Sequence, residues 1–258
     1  MTSNILNSME IVARNAGKII LENYENVKEI HYKGDIDLVT DTDKRSEEYI
    51  LSFLQKEFPE YSILSEESES FQTQSEYQWI IDPLDGTTNF VHGIPAFSVS
   101  ICLLKGDTPI AGVVFDPVHN ELFSAALHQG ATMNGKPIRV STETDIGKAL
   151  IATGFPYDIR TTPLNNLKEF SQFHLRVQSI RRIGSATLDC AWTAKGRLDG
   201  YWELGIKPWD VYAGLLIIQE AGGRVTTKDG NNYNLTSSNI LVSNGLIHDQ
   251  MLDILKLK

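Results

Sequence analysis

The sequence predicts an α+β protein, and three observations carry that expectation. Apolar residues near the N-terminus recur at helical steps, strand-like segments joined by tight turns fill the middle, and strands alternate with helical stretches in the second half. No linker, repeat or low-complexity segment interrupts the 258 residues. The chain therefore reads as one domain over 1–258, with sub-regions of roughly 1–145 and 146–258.

Each element has its own signal. Ile5, Met9, Val12, Ala16 and Ile19 mark the buried face of an amphipathic helix. A second helix starts in Thr40-Asp41-Thr42-Asp43, a cluster of good helix-capping residues, buries Tyr49, Ile50, Phe53 and Leu54, and stops before Pro59. Strand signals follow at 62–64, 78–81, 98–104 and 110–115, the last two joined by a hairpin loop in Lys105-Gly106-Asp107-Thr108-Pro109. Residues 121–126 continue the meander, and Asn134-Gly135 marks another tight turn. Strand-like 150–153, 179–182, 198–202 and 224–226 then alternate with helical stretches near 164–173, 185–195 and 211–221, a pattern in which helices cover a sheet.

Bulk properties exclude some function classes. A net charge of −10 argues against a nucleic-acid surface built on bulk attraction. Apolar content of 41% and charged content of 22% are those of a soluble globular protein. Cys102 and Cys190 lie in apolar contexts and read as small buried hydrophobes, with no metal or disulfide pattern. No secretory signal pattern opens the chain, and no apolar run approaches the ~20 residues that span a bilayer. A cytoplasmic location without a membrane partner is the expectation.

The chemistry concentrates in Trp79-Ile80-Ile81-Asp82-Pro83-Leu84-Asp85-Gly86-Thr87-Thr88-Asn89-Phe90. An apolar run delivers two carboxylates, three residues apart, onto what reads as a tight turn, followed by glycine and two hydroxyl residues. Carboxylate oxygens suit hard divalent cations such as Mg²⁺, and a helix beginning after the turn has free N–H groups that suit an anion. Glu66 and Glu67 lie just past a short strand, Asp43 at the start of the second helix, and Asp210 before Val211-Tyr212-Ala213. Each of these alone also reads as a helix cap or a solvated charge, Asp210 especially as an N-cap. The Asp82–Asp85 pair differs, because without a metal it gathers repulsive charge for little structural gain.

The chain resembles the inositol monophosphatase family of Mg²⁺-dependent, lithium-sensitive phosphatases. The resemblance runs through Asp37-Leu38-Val39-Thr40-Asp41-Thr42-Asp43, Leu64-Ser65-Glu66-Glu67, Trp79 to Pro95, Gly184-Ser185-Ala186, and Trp209-Asp210 to Gly223. It implies a layered α/β/α/β/α sandwich, assembled as a homodimer, and two to three Mg²⁺ per active site. By resemblance, Glu66, Asp82 and the Leu84 carbonyl hold a first Mg²⁺, while Asp82, Asp85 and Asp210 hold a second, with Asp82 shared; a third, weaker ion would lie near Glu66. Thr87 and Asp43 match the pair that positions the attacking water, making Thr87, Asp43 and Glu66 the catalytic set. The N–H groups of Gly86 and Thr87 match those that hold phosphate oxygens. Substrate contacts are implied for Glu66, Leu84, Asp85, Gly86, Thr87, Gly184, Ser185, Ala186, Glu203 and Asp210. No histidine or cysteine nucleophile is implied; all six histidines lie outside any recognisable catalytic spacing.

Resemblance also narrows the substrate, a small-molecule phosphomonoester. Thr88-Asn89-Phe90 is the inositol-type continuation, where relatives acting on 3′-phosphoadenosine 5′-phosphate carry Lys-Glu. Glu203 matches a glutamate that contacts inositol hydroxyls, although a surface position at a strand end is its other reading. Ser65, in place of a frequent glycine, and Lys207-Pro208 depart from the commonest pattern without touching a ligand. The implied activity is hydrolysis of inositol 1-phosphate to inositol and phosphate. The alternatives are a broader sugar-bisphosphate or NADP(H) phosphatase and, in another class, a protein that binds the transcription machinery on the same fold. Arg176, Arg181 and Arg182 form a short basic group that reads as a partner surface, a solvated face or a dimer contact.

Overall fold

The computed structural model describes residues 2–24, 30–32 and 38–257. Helix α1 (Thr2–Asn23), an antiparallel pair β1 (Ile30–Tyr32) and β2 (Leu38–Thr40), and α2 (Asp41–Glu57) come first. A seven-stranded sheet follows in chain order: β3 (Ser62–Ser65), β4 (Tyr77–Asp85), β5 (Ser98–Lys105), β6 (Thr108–Asp116), β7 (Glu121–Ala126), β8 (Ala131–Met133) and β9 (Lys136–Pro137). Short α3 (Thr87–Val91) sits between β4 and β5. β3 runs parallel to β4 and every other neighbouring pair is antiparallel. The remainder is β10 (Leu150–Thr153), α4 (Leu167–His174), β11 (Ser179–Arg181), α5 (Ala186–Ala194), β12 (Gly200–Leu204), α6 (Pro208–Glu220), β13 (Arg224–Thr226), β14 (Asn239–Ser243) and α7 (His248–Leu255). Its five strands pair in the order β11-β10-β12-β14-β13.

Side-chain alternation decides which helix covers which face. Trp79, Ile81, Ile101 and Leu103 pack with Met9, Val12 and Ala16 of α1 and Ile50 and Leu54 of α2. Their strand neighbours Ile80, Cys102 and Leu104 face the other way, onto Leu188 and Ala191 of α5 and Leu216 of α6. The same middle core takes in Tyr201 and Val242 of the smaller sheet, whose opposite face buries Trp202 and Leu241 against Phe173 of α4 and Met251 of α7. Helix pairs and sheets thus alternate as α/β/α/β/α. Both cysteines are free and buried in the middle core.

Three departures from the sequence expectation have physical causes. Asp82-Pro83-Leu84-Asp85 is the bulged end of β4, not a tight turn: Asp82 opposes Ser100 and Asp85 opposes Ser98, leaving one extra residue. A bulge is where a strand tolerates proline. β12 starts at Gly200, later than expected, because Arg197 and Leu198 still wrap the end of α5 by bonds to the Trp192 carbonyl. β14 and α7 were not anticipated. Ile240-Leu241-Val242 is buried on both faces in the interior of its sheet, so it shows no alternation to read.

The middle helices cross closely at Gly214 of α6, where an added Cβ would fall 2.4 Å from Cys190 Cβ of α5. Gly214→Ala is therefore expected to overpack this crossing and to destabilise the protein by about 1–3 kcal/mol. Thermal unfolding should show a fall of several degrees; an unchanged midpoint would mean the crossing relaxes freely.

Candidate active site

β3 and β4 run in parallel register with Ser65 opposite Ile81, and the Glu66 N–H donates to the Ile81 carbonyl at 3.2 Å. Glu66, the first residue past β3, and Asp82 of β4 therefore stand side by side. Both line a cavity of about 430 Å³. The bulge brings Leu84 and Asp85 to the same cavity. Its shape is held locally: the Leu84 N–H donates to Asp82 Oδ1 at 3.0 Å, and Ser46 Oγ of α2 donates to the Pro83 carbonyl at 2.8 Å.

Gly86 turns the chain from β4 into α3 with φ +93°, a left-handed conformation that favours glycine. A Cβ there would also lie 2.9 Å from the Ala96 carbonyl oxygen. Gly86, Thr87 and Thr88 then line the cavity. Behind them, Thr87 Oγ1 lies 2.9 Å from Asp43 Oδ1 and 3.1 Å from the Leu84 carbonyl oxygen. Asp43 is fully buried at the third position of α2, where Oδ2 accepts from the Thr40 N–H at 2.8 Å and from Thr40 Oγ1. Its two oxygens thus cap a helix and hold a hydroxyl. Burial raises the Asp43 carboxyl, and the Thr40 and Thr87 donors pull against that shift.

The second half of the chain supplies the facing wall. Ser185 is the N-cap of α5. Asp85 Oδ2 accepts from Ser185 Oγ at 2.5 Å, from the Thr187 N–H at 2.8 Å and from Thr187 Oγ1 at 2.6 Å. Asp210 is not the N-cap its position suggested. Lys207 is the N-cap, Pro208 opens the helix, and Asp210 reaches back so that Oδ2 accepts the Lys207 N–H at 2.7 Å. Glu203, half-buried on β12, lines the cavity and accepts from the Tyr201 hydroxyl at 2.5 Å. Its surface alternative does not hold.

Electrostatics sets the character of this cavity. Burial, then the charges of Glu66, Asp85 and Asp210, push the Asp82 carboxyl well above the usual carboxylate range. Burial, then Glu66 and Asp85, do the same to Asp210. Burial raises Asp85 despite its three donors, and pushes Glu203 up to about 7. Among the described residues no group of three or more His, Cys, Asp or Glu side chains is gathered into a ready-made ion site. The donor set of four carboxylates and the Leu84 carbonyl is all oxygen, and the charge it gathers is what a hard divalent cation relieves. The residues fit such an ion.

The structure brings Glu66, Asp82, Leu84, Asp85, Gly86, Thr87, Gly184, Ser185, Ala186, Glu203 and Asp210 to one cavity, with Asp43 directly behind Thr87. Asp37, part of the motif read in the sequence, lies outside the described residues. Ser65 and Ser68 both donate to Glu47, so Ser65 serves the support of the β3 edge. Among the described residues no histidine lines the cavity; His248 is buried between Thr226 and Ser243, and burial lowers it to about 4. The basic group divides, with Arg182 on the cavity rim over the Phe155 ring and Arg176 and Arg181 elsewhere on the surface. Sequence reading missed Arg182 as a cavity residue, Thr187 and Asp189. A lone Asp in the apolar stretch Leu188-Asp189-Cys190-Ala191 was the available signal for the last.

The sequence pattern described as the inositol monophosphatase family matches residues 2–256. An inositol-1-monophosphatase of Synechocystis sp. is 46% identical, over 92% of this chain and 83% of the relative. The Nus factor SuhB of Escherichia coli K12 is 42% identical, over 96% of this chain and 94% of the relative. The structure of an inositol monophosphatase from Anabaena (Nostoc) sp. PCC 7120 superposes with a TM-score of 0.90 at 44% identity, covering 98% of this chain and 95% of that one.

The raised carboxyls have a measurable consequence. Unfolded, they titrate near pH 4; folded and free of metal, Asp82, Asp85 and Asp210 keep their protons to higher pH. The folded state then binds more protons across that window, so its stability falls as pH rises through it. Chelator-treated protein should unfold at progressively lower temperature as pH is raised from 5, and a saturating divalent cation should remove most of that fall. A midpoint indifferent to the cation at high pH would show that these carboxyls do not share an ion site.

Proposed function

The chain belongs to the inositol monophosphatase family, and from that premise we propose that it is a Mg²⁺-dependent phosphomonoester hydrolase that cleaves inositol 1-phosphate and related polyol phosphates. One observation carries the proposal: Glu66, Asp82, Leu84, Asp85 and Asp210 line a single cavity, with the Thr87–Asp43 hydrogen bond of 2.9 Å set directly behind it. Glu66, Asp82 and the Leu84 carbonyl would hold one Mg²⁺, and Asp82, Asp85 and Asp210 a second. When bound, Mg²⁺ supplies Lewis acidity and charge neutralisation for the phosphoryl oxygens and the attacking water.

The protein's own groups do the rest. An ionised Asp43 and the Leu84 carbonyl only accept, so the Thr87 proton points at one of these and the Thr87 oxygen is left to accept a hydrogen bond from water. That orients the water's lone pair toward phosphorus. The Gly86 and Thr87 N–H groups would bind phosphate oxygens. Ser185 and Thr187 anchor Asp85, and Lys207 anchors Asp210, before any ligand arrives. Asn89 Nδ2 donates to the Ala96 and Ile183 carbonyls, tying α3 to the segment that leads into Gly184-Ser185-Ala186. Glu203 and that loop would receive the alcohol. As the water oxygen bonds to phosphorus, the ester P–O bond breaks; one of the water's protons stays with the phosphate, the other reaches the departing alkoxide, and the alcohol leaves on the Glu203 side.

Family membership supports further parts of the proposal: one functional unit over residues 1–258, inhibition by Li⁺, a homodimer, and a cytoplasmic location. No helix among the described residues is long and apolar enough to cross a membrane. The likeness to a Nus factor favours a second role, a protein-binding one that needs no turnover. Pull-down with wild type and with Asp82→Asn tests it, since partners retained by an inactive variant support that role and their absence from both removes it.

Thr87→Ala should lower kcat by about 10²–10⁴-fold while KM moves little, because water is oriented mainly in the transition state. Asp85→Asn and Asp210→Asn should abolish turnover with far-UV circular dichroism unchanged. Turnover across a panel of phosphomonoesters decides the substrate; negligible hydrolysis of inositol 1-phosphate beside brisk hydrolysis of sugar bisphosphates or NADP would replace the polyol reading.

A further inference from the structure

α5 carries one more acidic side chain to the cavity. Asp189 lies one turn beyond Ser185, to whose carbonyl its N–H donates at 3.0 Å, and Ser185, Ala186 and Asp189 all line the cavity. Residues four apart share a helix face, so Asp189 continues the wall begun by Ser185. It is 1% exposed, and its Oδ1 is buried without a hydrogen-bond partner among the described residues. The charges it feels are those of Glu203 and Asp85, both of like sign. None of the ion pairs among the described residues involves it. A buried carboxyl without a partner destabilises a fold, and apolar replacement of such groups is commonly neutral or stabilising. Packing alone gives no reason for an acid here. A ligand that donates hydrogen bonds does, and a polyol is such a ligand.

We propose that Asp189 is a specificity-determining residue: beside Glu203, it accepts a hydrogen bond from a hydroxyl of the alcohol half of the substrate. This rests on the phosphatase reading above and deepens it. Two neighbouring acidic acceptors at the alcohol end select leaving groups rich in hydroxyls over those with none. A site built around such acceptors discriminates strongly, because an alcohol without hydroxyls leaves them unpaired.

The test compares wild type, Asp189→Leu and Asp189→Asn with inositol 1-phosphate and phenyl phosphate in saturating Mg²⁺. The Leu variant should lower the ratio of kcat/KM for the two esters ten-fold or more, and unfold no lower than wild type. The Asn variant keeps an acceptor oxygen and should retain the ratio within about three-fold of wild type. Calorimetric titration with myo-inositol, in the presence of Mg²⁺ and inorganic phosphate, reads the contact without turnover and should weaken at least five-fold in the Leu variant. An unmoved ratio, or a shift only in the Mg²⁺ concentration for half-activity, overturns the proposal. A wild type that hydrolyses neither ester defeats the phosphatase reading instead, and the titration then decides Asp189 alone: unchanged or absent inositol binding overturns it.

Discussion

Glu66, Asp82, Asp85 and Asp210, four of the acidic side chains that line one cavity, repel one another, and keeping them together is the constraint on which the surrounding architecture depends. Each is restrained by a different device. The parallel pairing of β3 and β4 sets Glu66 beside Asp82. The bulge carries the chain on to Asp85, which Ser185 and Thr187 then grip from α5. The first turn of α6 fixes Asp210 through the Lys207 N–H. The middle helix layer is thus a mechanical link between the larger sheet and the far wall of the site. Its close crossing at Gly214 belongs to the same requirement, since α5 and α6 must sit near enough to present residues to one cavity.

Capping and chemistry are carried by the same atoms. Asp43 and Asp210 both occupy the third position of their helices and bond back to the N-cap backbone. This leaves Asp43 Oδ1 for Thr87, while Asp210 reaches the cavity. For residues of this kind, a structural and a functional reading of the sequence are not rivals. The helix end that needs an acid is the place from which the site needs one.

Much of this was legible beforehand because the decisive signals are local. The apolar run Trp79–Ile81, helical spacing from Ile5 to Ile19, and the Asp82–Thr87 motif each act over a few residues. What stayed hidden depends on tertiary context. The bulge at Pro83 reads as a turn because proline and two acids suggest one, and only the pairing with Ser98 and Ser100 makes it a strand. β14 carries no alternation because both its faces are buried. Thr187 and Asp189 are ordinary letters in a helix until Asp85 and the cavity are placed beside them. Arg182 reads as one of three surface cations, and the Phe155 ring and the cavity rim set it apart.

The position of β14 has a consequence for synthesis. β12, which carries Glu203, lies between β10 and β14, and β14 is the last strand of its sheet in chain order. As a nascent polypeptide emerges from the ribosome, Glu66, Asp82, Asp85 and Thr87 are present long before their opposite wall has a neighbour to lean on. Premature termination just ahead of residue 239 therefore leaves every residue of the pocket in the product, yet strips β12 of the strand that pairs with it along Gly200–Leu204.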